Sequence, residues 1–172
     1  MIKIPITKED IKKCRDFAFK KVGSSYDRLK QSDDEREKRI FFGKLGELIF
    51  LKLLNSKGIN LEEESLFEIW EDITKGDKGD FKTKEGKSID IKTAYLKKHI
   101  RILVPYDQFE NGKNKEFYVG IKINEDISEG EIFGFCSKDK LIINGKKDFG
   151  EGLAYWEFLN SLEDIELLIK QF

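Results

Sequence analysis

The sequence predicts an α/β domain with a mixed sheet. Two segments, 8–22 and 34–56, carry apolar residues at helical spacing, and several short runs later in the chain alternate or are rich in β-branched and aromatic residues. A third observation is the punctuation between these runs: "SKG" at 56–58, "NGKN" at 111–114 and "NEDISEG" at 124–130 are stop and turn signals. The chain has 172 residues, the size of one ordinary domain able to bury a core. It contains no repeat and no linker, so we read residues 1–172 as a single unit.

The elements follow in order. "KEDIKKCRDFAFKKV" (8–22) places Ile11, Cys14, Phe17 and Ala18 on one helical stripe. Residues 24–34 are polar and read as a connection. Ile40, Phe41, Leu45, Leu48, Ile49, Leu51 and Leu53 then give the second helix an apolar face broad enough for a core position. Strands are expected at about 66–71, 79–83, 88–95, 101–104, 116–123 and 131–137. The tail "SLEDIELLIKQF" (161–172) reads as a short amphipathic helix capped by Ser161.

Composition excludes several classes. Hydrophobic residues make up 39% and the chain holds 14 Phe, too apolar and aromatic for disorder. No run approaches the roughly 18 apolar residues of a membrane span, and "MIKIPITKED" lacks the apolar core of a secretory signal. Cys14 and Cys136 stand alone, without metal-ligand spacing, which points to a reducing cytoplasm. The formal charge of -1 disfavours a sequence-independent nucleic-acid binder overall. Its distribution is uneven: from Lys75 to Arg101 nine Lys or Arg stand against Asp77, Asp80, Glu85 and Asp90.

"GDFKTKEGKSIDIKTAY" (79–95) lies in that basic stretch. Gly86 suits the left-handed position of a three-residue hairpin loop. This register pairs Phe81 with Ile89 and Asp80 with Asp90, so Asp80, Asp90 and Lys92 share a face. A two-residue loop would split the carboxylates between faces. Opposed carboxylates repel unless a cation intervenes, and Mg²⁺ takes one or two carboxylates with water and substrate phosphate. The same triplet also reads as a surface salt-bridge cluster worth ~0–1 kcal/mol.

These residues resemble the PD-(D/E)XK nuclease superfamily, which includes restriction endonucleases and Holliday-junction resolvases. Asp80 matches the first aspartate, Asp90 the second acidic residue and Lys92 the lysine of "DIK"; Gly79 stands where the family has proline. Glu47, in "GKLGELIFLKLL" (43–54), matches the glutamate that many members carry on the preceding helix. The resemblance covers about residues 38–123. It implies a restriction-endonuclease-like core, a central mixed sheet flanked by helices in αβββαβ order. It further implies a Mg²⁺-dependent nuclease, with Mn²⁺ as a substitute, acting on DNA. Glu47, Asp80, Asp90 and the carbonyl of Ile91 would serve the metal, and Lys92 would be the catalytic lysine.

Asp77 rivals Asp80 but falls in the loop expected before that strand. Lys97, Lys98 and Arg101 are candidate phosphate contacts, or simply a solvated face. His99 is the lone histidine and cannot build a zinc site, and Gln108 is a loosely placed polar helper. Many relatives act as homodimers. The alternative function is a non-catalytic nucleic-acid-binding module, or a subunit of a larger nuclease complex, with the same fold.

Overall fold

The computed structural model describes residues 1–22, 32–68, 81–150 and 152–172. The chain opens with β1 (Ile2–Pro5), α1 (Lys8–Val22) and α2 (Asp33–Ser56), followed by a 3₁₀ turn at Glu64–Phe67. β2 (Phe81–Lys82), β3 (Ser88–Ala94), β4 (Arg101–Pro105) and a one-turn α3 (Tyr106–Gln108) come next. β5 (Phe117–Ile123), β6 (Glu129–Ser137), α4 (Lys138–Asn144), β7 (Lys146–Asp148), β8 (Leu153–Phe158) and α5 (Ile165–Ile169) complete it.

Both long helices form where the apolar spacing places them. Ser32 caps α2: its hydroxyl accepts from the Glu35 amide while the Glu35 carboxylate accepts from the Ser32 amide, each at 3.4 Å. This reciprocal pair satisfies two of the amides that a helix start leaves without partners. Phe41, Leu45, Leu48, Phe50, Leu51 and Leu54 are buried around the second half of α2, so this helix is a central core element rather than a half-solvated one. At its end the Lys57 amide donates to the carbonyls of Leu53 and Leu54, and Gly58 follows with φ +80°.

The five-stranded sheet runs β1-β6-β5-β3-β2. β3 and β5 are parallel and the remaining pairs antiparallel, so the sheet is mixed, and helices flank it. α2 covers the face that carries Ile89, Val119, Ile121 and Ile132, and this is the larger core, to which α1 and α5 also contribute. On the other face a second cluster forms around Ala94, Ile102, Val104, Phe109, Tyr118, Cys136, Leu141 and Leu159.

The expected strands at 88–95, 101–104, 116–123 and 131–137 are present within a residue or two. Three expectations are corrected. Residues 64–67 form a 3₁₀ turn where a strand from residue 66 was expected, and 69–71 lie outside the described residues. The last helix is capped by Asp164, whose carboxylate accepts from the Glu166 amide at 3.2 Å, and not by Ser161. Residues 159–161 are held in a 3₁₀ turn, and Glu163 is extended because it exchanges backbone bonds with Phe135. Finally, β4 leaves the central sheet and pairs with β8, giving a second sheet of order β4-β8-β7 that lies over the second cluster.

Asp10, buried in α1, ties that helix down. Its carboxylate accepts from the Thr7 amide at 2.6 Å and from Lys52 of α2. Burial alone would raise its pKa, but the bonds from Lys52 and Thr7 outweigh it and hold the carboxyl below the usual aspartate range. The folded state therefore resists protonation of this group. Its contribution is complete above the unfolded pKa and disappears as the pH falls through the lower folded value. Asp10→Asn should cost about 2 kcal/mol near neutral pH and make the acid limb of a stability–pH curve shallower; parallel curves for the two proteins would refute this.

Candidate functional site

The hairpin register is the one set by a three-residue loop. Phe81 pairs with Ile89 and Lys82 with Ser88, the Thr83 amide donates to the Lys87 carbonyl at 3.0 Å, and Gly86 has φ +79°. Side chains alternate along β3. Ile89 and Ile91 belong to the α2 side, and Thr93 meets α2 at Gly46, where an added Cβ would lie 2.0 Å from the threonine Oγ1. Asp90, Lys92 and Ala94 therefore face the other way, toward the second cluster.

The structure brings Asp90 and Lys92 together. Lys92 Nζ lies 2.8 Å from Asp90 Oδ2, with both side chains about one-fifth exposed at 20% and 19%. The ammonium is off the line of a hydrogen bond: the buried Oδ2 has no hydrogen-bond partner among the described residues. The ammonium balances the carboxylate charge without a well-directed hydrogen bond to Oδ2, and a hard cation is another group that such an oxygen takes.

Because Thr83 and Lys87 form a hydrogen-bonded pair, so do Phe81 and Ile89, two places on. Ile91, two places further along β3, directs its carbonyl to the same edge, away from β5. β2 as described begins at Phe81. Asp80, expected opposite Asp90, lies outside the described residues, as does Asp77.

Glu47 is placed elsewhere. Gly46 lies against Thr93 of β3, and Glu47 is the next residue along the helix. There the Glu47 carboxylate takes Lys44 Nζ at 2.5 Å. Lys44 also donates to the Leu66 carbonyl at 2.7 Å and sits 4.5 Å from the Phe17 ring centre. Glu47 sits on the α2 side of the sheet, while Asp90 projects from the other face of β3. Among the described residues, no three His, Cys, Asp or Glu side chains are grouped to hold a metal.

The basic segment divides in three. Lys97 and Lys98 are exposed in the turn before β4. His99 packs edge-on against Tyr95 at 5.2 Å, and Tyr95 stacks flat on Phe42 at 4.2 Å, so the histidine is part of a ring cluster. Arg101 lies among the rings of Phe149, Trp156 and Phe158, 5.2, 6.0 and 4.7 Å from their centres. Gln108 is half-buried in α3. The cage around Arg101 was not foreseen; the alternation of "LAYWEF" (153–158) is the signal that would have revealed its strand.

Nucleophiles other than water are poorly placed. Burial pushes the Cys14 and Cys136 thiols up to about 12, so neither supplies a thiolate at neutral pH. Tyr118, the partner of Asp90 on the neighbouring strand β5, is also pushed up to about 12, by burial first and by the Asp90 charge in addition. It stays a neutral phenol, its oxygen accepting from the Lys115 amide at 2.9 Å.

Comparison with family models, with curated proteins and with solved structures gives no match.

Proposed function

We propose that the chain is a Mg²⁺-dependent nuclease acting on DNA, on a restriction-endonuclease-like core. The observation that carries this reading is the half-buried Asp90–Lys92 pair, with a carboxylate oxygen 2.8 Å from an ammonium yet without a hydrogen-bond donor. Chain order adds support, since α2, β2, β3, β4, α3 and β5 follow one another as αβββαβ. The departure of β4 into the second sheet counts against a standard core.

The donors present are hard oxygens of the kind Mg²⁺ or Mn²⁺ takes. Asp90 and the Ile91 carbonyl would hold the ion, with Asp80 as the further carboxylate. A bound ion would polarise the phosphate and lower the pKa of a bound water. Lys92 supplies fixed positive charge where the pentavalent phosphorus gathers negative charge. Glu47, engaged with Lys44, serves helix packing in this reading. Lys97 and Lys98 lie exposed beyond the same strand and would meet backbone phosphates. The free, buried cysteines suit a reducing compartment, and we place the protein in the cytoplasm. Among the described residues no helix is long and apolar enough to cross a membrane.

A second reading is favoured by the mutual neutralisation of Asp90 and Lys92: a nucleic-acid-binding module without metal chemistry. One experiment separates the two. Linear duplex, supercoiled circle, single strand and four-way junction are incubated with the protein, with and without Mg²⁺, and melting is followed over the same metal range. The nuclease cleaves at least one substrate only with metal and melts higher as metal is added, since a ligand at 100 times its Kd stabilises by about 2.7 kcal/mol. Absence of both responses overturns the reading.

A further inference from the structure

The outer face of the second sheet has no role in the nuclease reading. Strand alternation places Arg101 and Leu103 of β4 opposite Phe158 and Trp156 of β8, on the side turned away from the second cluster. Phe149 adjoins them, its ring 5.9 Å from Trp156, and Trp156 lies 5.1 Å from Phe158. Lys147, opposite Ala154 on the same face, sits over Phe149 at 5.9 Å. Leu103 and Phe158 are each 37% exposed. The result is three rings gathered around Arg101, with Lys147 beside Phe149.

Arg101 is the unusual member. No carboxylate pairs with it among the described residues, and its buried Nε has no hydrogen-bond partner there. Three aromatic faces stabilise the guanidinium by cation–π attraction, yet they do not neutralise it. A protein that holds a cation with no carboxylate partner among the described residues, at a half-exposed aromatic surface, presents an anion site next to stacking platforms. We propose that this face binds a single-stranded nucleic-acid segment, bases stacked on Phe158 and Trp156 and phosphates at Arg101 and Lys147. Duplex is disfavoured because its bases are already stacked and their faces are not accessible. An anionic membrane fits less well, because Leu103 and Phe158 are the strongly exposed apolar side chains of this face and two such residues make a small anchor.

The proposal is independent of the metal site and is tested without metal. A fluorescein-labelled oligothymidylate 20-mer is titrated with the full chain in EDTA, read by anisotropy at several salt concentrations. Phe158→Ala should weaken binding about fivefold or more, and Arg101→Ala likewise. Lys147→Ala should reduce the slope of log affinity against log salt by roughly 0.7. Lys3→Ala, on the exposed edge strand β1, should bind as wild type, which shows that the losses belong to this surface. Melting curves identify any variant that fails to fold, and Phe158→Tyr, which keeps a stacking ring, should restore binding. Three results would overturn the proposal. The first is oligonucleotide binding that Phe158→Ala leaves unchanged. The second is capture of the protein by phosphatidylserine vesicles but not by the oligonucleotide. The third is a dimer on sizing that Phe158→Ala converts to monomer, which would make the face an interface between copies.

Discussion

Lys92→Ala should lose metal-dependent cleavage by at least about 10²-fold, the scale on which removing one preorganised electrostatic partner of a transition state acts. The same variant should keep its response to Mg²⁺ in a melting experiment. Lys92 and a divalent ion compete for one carboxylate oxygen, since the ammonium lies 2.8 Å from Asp90 Oδ2. Without the ammonium, Asp90 is a half-buried anion with greater need of a counter-charge, so the metal-induced rise in Tm should equal or exceed that of wild type. Asp90→Asn separates the two roles from the other side. It should abolish cleavage and the metal response together, while changing metal-free stability by less than ~1 kcal/mol, because the lost pair is partly exposed and imperfectly aligned. This crossed pattern cannot come from general unfolding, which would remove both readouts in both variants. Wild-type cleavage by Lys92→Ala, or a full metal response in Asp90→Asn, would remove these residues from the mechanism.

The parts of this site that the sequence disclosed are those governed by short-range rules. A glycine three residues into a turn fixes the loop, the loop fixes the register, and a period of two puts Asp90 and Lys92 side by side. Likewise α1 and α2 follow from apolar periodicity and from caps within a few residues. The pairing of Glu47 with Lys44 was not legible because the rotation of α2 about its axis is set by a tertiary contact. Gly46 has no side chain, so it is the point where α2 approaches Thr93, and Glu47 is the residue after it. A broad apolar helix tolerates several rotations, and sequence alone does not choose among them. The second sheet was hidden for a related reason. β4 and β8 pair across the 47 residues from 106 to 152, and nothing local in "RILVP" distinguishes a strand of the central sheet from one that crosses to another layer. Arg101 then changes meaning: in the sequence it belongs to a basic run, and in the fold it is the cation within an aromatic face.

Gly134→Ala should be among the most destabilising single substitutions in the chain, on the order of 3 kcal/mol. Two independent costs meet there. Gly134 has φ +150°, a conformation that side-chain-bearing residues rarely adopt. An added Cβ would also lie 2.1 Å from the Glu163 carbonyl oxygen and 3.0 Å from Leu162 Cβ. The first of these is backbone, which cannot swing aside as a long side chain would. Nor can the Glu163 segment retreat without loss, because its amide and carbonyl are bonded to Phe135 at 2.8 and 3.0 Å. Those bonds anchor the chain just before α5, whose Ile165, Leu168 and Ile169 complete the larger core. The substitution would therefore loosen α5 from β6 as well as strain β6 itself. For a domain of this size about 3 kcal/mol corresponds to a fall in Tm of roughly 6–12 °C. Hydrogen exchange at the Phe135 and Glu163 amides should quicken more than exchange in the buried half of α2. A variant that melts within 2 °C of wild type, with both amides still protected, would show that the β6–α5 junction accommodates a side chain and that the close approach is not a constraint on the fold.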